Sequence, residues 1–358
     1  MQRRILVYRI GSLGDTLIAL PAFHAIRQHF PGAFIALLNN AHEDRKRVMA
    51  QSVLPSEGLF DGWLTYPTGF SGTASFKEQI RLLFELRRLK FDTLVYLAPR
   101  LRTAKQVTRD KVFFYMAGIR AFHGFDGLPA PLPEKREGEP LPLIEHEADH
   151  LLYRLKLSGI NVPKQGSIDL QLTEEEHLQA RKWLEENCGE ALDQKRLVAI
   201  APGSKWSSKI WPEENFGQIG ERLISELNLY PVIFGGREDN LRGTRLIARW
   251  KRGANAAGKL NVRHAAAGLS QCRLFVGNDT GTMHLAAAVG TPCIVAFAAQ
   301  DWPGRWYPYG KGHIILREAV PCEGCMLRVC DKENLCLTSI KVDKVFEACC
   351  EVLKKRIS

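Results

Sequence analysis

Three polar loops collect the residues of this chain that can do chemistry. The richest runs from Arg273 to Val295, RLFVGNDTGTMHLAAAVGTPCIV, and reads as strand, loop, short helix and strand. Arg273-Leu274-Phe275-Val276 is a short apolar run with aromatic and β-branched character. Gly277-Asn278-Asp279-Thr280-Gly281 brings turn residues and helix-capping types. An Ala-rich helix with one histidine, His284, follows, and Gly290-Thr291-Pro292 stops it before the next apolar strand. In a parallel α/β sheet, ligands bind at loops on the carboxyl ends of strands. The N-terminus of the next helix offers unpaired N–H groups and positive partial charge to an anion. Asp279, Thr280 and His284 therefore read as a grip for a nucleotide diphosphate.

The second loop is Ala201 to Pro212, where Ser204, Lys205, Ser207, Ser208 and Lys209 follow an apolar strand and precede a helix. Lysines and hydroxyls at a helix N-terminus suit phosphate oxygens. The third loop, Arg9 to Asp15, lies between the first strand and the first helix. Its Ser12 and Gly14 do not complete a dinucleotide GxGxxG pattern. Asp15, at the helix start, is either an N-cap worth about 1 kcal/mol or a carboxylate able to take a proton from a hydroxyl nucleophile. Gly235-Gly236-Arg237-Glu238-Asp239 adds an acidic pair, either a ribose contact or a cap on the next helix.

The elements that must position these loops alternate along the chain. Apolar strands are expected at 5–8, 34–38, 92–97 and 119–123, with helices at 15–30, 75–90 and 102–117; Pro21 should kink or restart the first helix. A second βα series is expected from strand 197–200, through helix 212–227, strand 231–234 and helix 239–251, to the 273–297 segment. This alternation implies parallel, doubly wound sheets. The Pro/Gly/Glu-rich stretch 127–142 reads as a mobile surface loop. Thr173-Glu174-Glu175-Glu176 resembles a capping box and marks the crossing between domains. Two domains are thus expected, 1–172 and 173–341. The last helix carries an apolar stripe over Val342, Val345, Phe346, Cys349, Val352 and Leu353 that needs a surface to pack on.

Composition sets the class. The 358 residues suffice for two domains, and 45% hydrophobic with 25% charged residues is ordinary for a globular protein. No apolar run approaches the roughly 20 residues of a membrane helix. The apolar part of MQRRILVYR is too short for a signal-peptide core, so a cytoplasmic protein is expected. The net charge of +10 calls for an acidic partner, and Lys and Arg are dense from Arg81 to Lys111. No zinc-finger, RNP or homeodomain pattern supports nucleic acid as that partner. Cys322, Cys325, Cys330 and Cys336 form a C-x2-C-x4-C-x5-C cluster that can hold a metal but lacks the second CxxC of a zinc ribbon; packed reduced thiols are the stronger reading.

Taken together, RIGSLGDTLIALPAFHAIRQHFPGA (9–33), SKIWPEENF (208–216) and VGNDTGTMHLAAAVGTP (276–292) resemble glycosyltransferase family 9, the ADP-heptose:lipopolysaccharide heptosyltransferases. The resemblance implies a GT-B fold, two Rossmann-like domains facing a central cleft, with helix 342–358 packing back on the N-terminal domain. It implies inverting transfer of heptose from ADP-heptose to a lipopolysaccharide inner-core acceptor, with no cofactor and no catalytic metal. By position, Asp15 would be the general base, with Ser12 and Gly14 in the acceptor loop. Ser204, Lys205 and Lys209 would face the donor diphosphate, Asp279, Thr280, Gly281 and His284 the diphosphate and sugar, and Glu238 or Asp239 the ribose. The expected partners are a nucleotide-sugar donor, a phosphorylated lipid-linked acceptor and the cytoplasmic face of the inner membrane, with no nucleic acid. The alternatives are another nucleotide sugar in surface-glycan assembly, or a non-catalytic nucleotide-sugar-binding protein.

Overall fold

The computed structural model describes residues 2–42, 48–68, 72–193 and 196–355. The chain divides into two compact units, 1–133 with 147–170, and 134–146 with 171–358.

The first unit is built on five parallel strands: β1 (Arg4–Tyr8), β2 (Phe34–His42), β3 (Gly62–Thr68), β4 (Thr93–Tyr96) and β5 (Ala121–His123), in the order β3-β2-β1-β4-β5. β1 and β4 are nearly all Ile, Leu, Val, Thr and Tyr, and are buried from Ile5 to Tyr8 and from Thr93 to Tyr96, as strands covered on both faces require. Their register pairs Ile5 with Thr93 and Tyr8 with Tyr96, so both chains leave the sheet at one level. The chain reverses direction in the sheet order there, and such switch points form crevices at the carboxyl ends of strands. Arg154, fully buried on the helix Glu147–Leu157, fastens that edge: Nη1 donates to Ala98 O and Nη2 to Tyr96 O, each at 2.7 Å.

The second unit has six parallel strands: β6 (Leu197–Ala201), β7 (Tyr230–Ile233), β8 (Ala254–Asn255), β9 (Phe275–Asn278), β10 (Cys293–Ala296) and β11 (Ile314–Leu316). Their order, β11-β10-β9-β6-β7-β8, is the doubly wound pattern with its switch point between β6 and β9. Ala201 pairs with Gly277, which brings the two ligand loops out side by side.

On the last helix, Val342–Lys355, the stripe residues Val345, Phe346, Cys349, Val352 and Leu353 join Val198, Ile200, Trp211 and Phe216 in the core of the second unit. An apolar stripe reports that a surface is needed, not which one. The stretch 127–142 is not simply a surface loop. From 134 onward it belongs to the second unit, where Leu141 N donates to Glu323 Oε1 (2.7 Å), Lys135 Nζ to Pro321 O (2.9 Å) and Ile144 N to Pro303 O (2.9 Å). The unit border falls at Leu170–Gln171, beside the expected 172–173, with 134–146 as an excursion from the first segment. Among the described residues, no helix is long and apolar enough to cross a membrane.

Candidate active site

In the second unit the site grows from the ends of β6 and β9. Asn278, the last residue of β9, is fully buried and holds three backbone groups. Its Oδ1 accepts from Trp211 N (2.9 Å), and its Nδ2 donates to Pro202 O (3.0 Å) and Gly203 O (3.3 Å). One amide thus sets the path of the loop carrying Ser204, Lys205 and Lys209. Sequence reasoning missed this role, although Asn278 lies inside the GNDTG segment.

Asp279 follows, with its side chain 5% exposed, and Lys209 Nζ lies 2.5 Å from its Oδ2. Burial raises the Asp279 carboxyl above the usual carboxylate range; Lys209 opposes that rise and Asp301 adds to it. Lys209 also sits 5.0 Å above the Trp206 ring and, with the Gln300 amide oriented to satisfy its neighbours, is 3.2 Å from Gln300 Oε1. The ammonium is therefore fixed by a carboxylate, an amide and an aromatic face. Ser204 Oγ is 3.5 Å from Asp279 O, and Lys205 is exposed at the loop tip.

The helix Gly281–Ala288 begins at Thr280, and no side chain caps it. A threonine N-cap ordinarily accepts from the first turn. Met283 N donates to Thr280 O (3.1 Å), which leaves the N–H groups of Gly281 and Thr282, at the positive end of the helix dipole, for an anion. His284, one turn in, is 6% exposed. Burial, with the positive potential of His146, Lys209 and His313, pushes it down to about 3, so its ring is neutral at physiological pH. His146 is held by Tyr307 O at 2.8 Å and His313 by Cys293 N at 3.1 Å; neither was anticipated from sequence.

The acidic pair separates. Asp239 Oδ2 accepts from Gly236 N (3.0 Å), and its carboxylate fills the space that a Cβ at Gly203 would need. Asp239 is thus a brace between loops, its pKa raised by burial. Glu238 is exposed and remains the ribose candidate.

In the first unit, Ser12 is the N-cap of the helix Leu13–Ile18 and Asp15 its third residue, so Asp15 is not the N-cap that one reading proposed. Ser12 N and Oγ donate to Asp15 Oδ2 at 2.8 and 3.0 Å, which fixes the carboxylate plane. Arg9, almost fully buried, donates from Nη1 to Leu97 O (2.9 Å) and from Nη2 to Asp15 O (2.8 Å), tying β4 to the first helical turn. Its Nη2 is 3.7 Å from Asp15 Oδ1, and the Asp15 side chain keeps a quarter of its surface exposed. Gly11, at φ +148°, passes so close that a Cβ there would strike Asp15. Gly14 lies within the helix.

The four clustered cysteines are unpaired thiols, partly buried, on the 322–330 loop and the helix Leu335–Thr338. Burial raises Cys336. Among the described residues, no three His, Cys, Asp or Glu side chains are grouped so that they can hold a metal.

The chain is similar to lipopolysaccharide heptosyltransferase 1 of Pseudomonas aeruginosa, 29% identical over 157 residues, which are 41% of this chain and 44% of that one. It is similar to lipopolysaccharide heptosyltransferase 2 of Salmonella typhimurium, 29% identical over 109 residues, 28% and 30% of the two chains. These matches span less than half the length of either relative. In structure the fold is that of a family 9 glycosyl transferase from Veillonella parvula, with TM-score 0.74 at 20% identity over 99% of this chain and 97% of the other. It is also that of E. coli ADP-heptose lps heptosyltransferase II, with TM-score 0.68 at 18% identity over the full length of both. The fold class is therefore GT-B, with two Rossmann-like units. The family model for glycosyltransferase family 9 (heptosyltransferase) matches residues 81–336, well over half of the chain, and the protein belongs to that family.

Proposed function

We propose that this protein transfers heptose from ADP-heptose to a hydroxyl of a phosphorylated, lipid-linked lipopolysaccharide inner-core acceptor, with inversion and without a metal. The observation that carries the donor side is the anion site at the end of β9: an uncapped helix N-terminus beside a lysine already held in place by Asp279. A diphosphate there meets N–H groups and an ammonium that need no rearrangement, the condition for electrostatic stabilisation of a leaving group. The nearby neutral His284 offers a sugar or phosphate oxygen a hydrogen-bond partner without adding charge. Glu238 is the ribose contact.

Asp15 supplies the base. Its carboxylate takes the proton of the acceptor hydroxyl, the hydroxyl oxygen bonds to the anomeric carbon, and the bond from that carbon to the diphosphate breaks. The electron pair leaves with ADP, where Lys209 and the first turn of Gly281–Ala288 receive the charge. The proton stays on Asp15 until solvent removes it. Ser12 orients the carboxylate, and Arg9 holds the backbone that carries it.

The test is to offer the purified protein a panel of nucleotide sugars with a heptose-deficient inner-core acceptor, and to follow ADP release and product mass together. A product heavier by one heptose, formed only from ADP-heptose, supports the proposal. Transfer from another nucleotide sugar, or nucleotide-sugar binding with no product from any of them, would overturn the donor assignment or the catalysis.

A further inference from the structure

The loop carrying Cys322, Cys325 and Cys330 is fastened to the loop that carries Lys209. Ser208 Oγ donates to Leu327 O (2.7 Å), and Ser208 N donates to Arg328 O (3.3 Å). In the orientation of the Gln300 amide that also reaches Lys209, its nitrogen donates to Leu327 O at 2.6 Å. Met326 N donates to Gln300 O at 2.9 Å, and Asn334 Nδ2 closes the far end of the loop on Ser207 O at 2.8 Å. Ser208 and Gln300, which make most of these bonds, are both buried. Met326 turns the chain with a left-handed backbone, φ +55°, which a residue with a side chain holds only where its surroundings over-determine it.

The fastening delivers one side chain to the site. The Arg328 guanidinium lies 5.4 Å from the centre of the Trp206 ring, and Lys209 Nζ lies 5.0 Å from the same centre. Lys209 is already paired with Asp279, whereas among the described residues no carboxylate pairs with Arg328. Arg328 therefore brings to the site a positive charge that is not already balanced. Its planar fork bonds phosphate oxygens two at a time, which a lysine does not. We propose that Arg328 is the second cation of the donor site and binds the diphosphate of the nucleotide sugar beside Lys209. The inference rests on the proposed nucleotide-sugar donor and adds a residue to its site. It gives the stretch between Cys325 and Cys330 a task, the presentation of that guanidinium.

The test is calorimetric titration of ADP, and of adenosine, into the full chain as wild type and as three variants. Arg328→Gln should weaken ADP binding about tenfold, the lower end of what a hydrogen bond to a charged group contributes, and leave adenosine binding as in wild type. Arg328→Lys should recover part of the loss, because it keeps the charge and gives up the paired geometry. Lys332→Gln removes another exposed charge from the same loop and should bind both ligands as wild type does. Unchanged ADP affinity in Arg328→Gln would overturn the inference and leave the donor assignment standing. An equal loss for ADP and adenosine would overturn it too, since the side chain would then act on the shape of the loop and not on phosphate. So would an equal loss in Lys332→Gln, which would make the effect one of general charge. A wild type that binds ADP no better than adenosine would sink the proposed donor, and this inference with it.

Discussion

Replacing Lys209 by methionine keeps the length of the side chain and removes its charge, and two separate consequences follow. The first concerns stability. Asp279 is left nearly fully buried without its cation, and breaking a buried pair from one side costs about 3–5 kcal/mol. Burial already raises this carboxyl, so it can take up a proton and limit the loss. The second consequence concerns the donor. A hydrogen bond to a charged group contributes about 1.5–3 kcal/mol, so ADP should bind about 10- to 150-fold more weakly. The double variant Lys209→Met/Asp279→Asn separates the two, because it removes the stranded carboxylate but does not restore the cation. Thermal unfolding should show the double variant recovering stability, while calorimetric titration of ADP shows it still weak. If Lys209→Met unfolds earlier yet binds ADP as tightly as wild type, the lysine is a structural partner of Asp279 and the donor assignment is wrong.

Other expectations are smaller in scope. Gly11→Ala places a Cβ against Asp15 at a backbone angle that disfavours side chains, so turnover should fall about 100-fold through a displaced base while ADP affinity in the other unit holds; steady-state kinetics beside calorimetry decide it. Glu238→Gln should raise the Kd for ADP with little change in melting temperature, whereas Asp239→Asn should do the reverse, because Asp239 braces Gly236 and Glu238 is exposed. His284 sits at about 3 in the folded protein, below its unfolded value near 6.5, so the unfolded chain binds the extra proton first and stability is lost as pH falls below 6.5. At pH 5 that amounts to about 2 kcal/mol, and melting curves against pH should show His284→Asn less acid-sensitive than wild type.

Much of the fold was legible because its signals are local. The apolar runs of β1, β4, β6 and β10 are bounded by polar turn residues, and the loops at their ends carry the titratable groups. β3 escaped because Gly62-Trp63-Leu64-Thr65-Tyr66-Pro67-Thr68 has a proline and no continuous apolar run; it is an edge strand, where proline is tolerated. β8 and β11 are two and three residues long, below any periodicity. The placement of 134–146 depends on Glu323 and Pro321, nearly two hundred residues away, and no window along the chain contains both partners. The same limit hid the setting of His284 beside His146 and His313, and the reach of Asn278 back to Trp211. Glu238 and Asp239 looked interchangeable as neighbours in sequence. Only the position of the Gly203 backbone tells brace from candidate ligand.

The central claim is that a donor held by Lys209 and the Gly281–Ala288 helix is attacked by a hydroxyl that Asp15 deprotonates. Its most direct test is the turnover of Asp15→Asn with ADP-heptose and an inner-core acceptor, in protein first shown to bind ADP as wild type does. Loss of general base catalysis predicts a fall of about 10²- to 10⁴-fold in kcat. Turnover within a few-fold of wild type would contradict the mechanism, whatever the donor site binds.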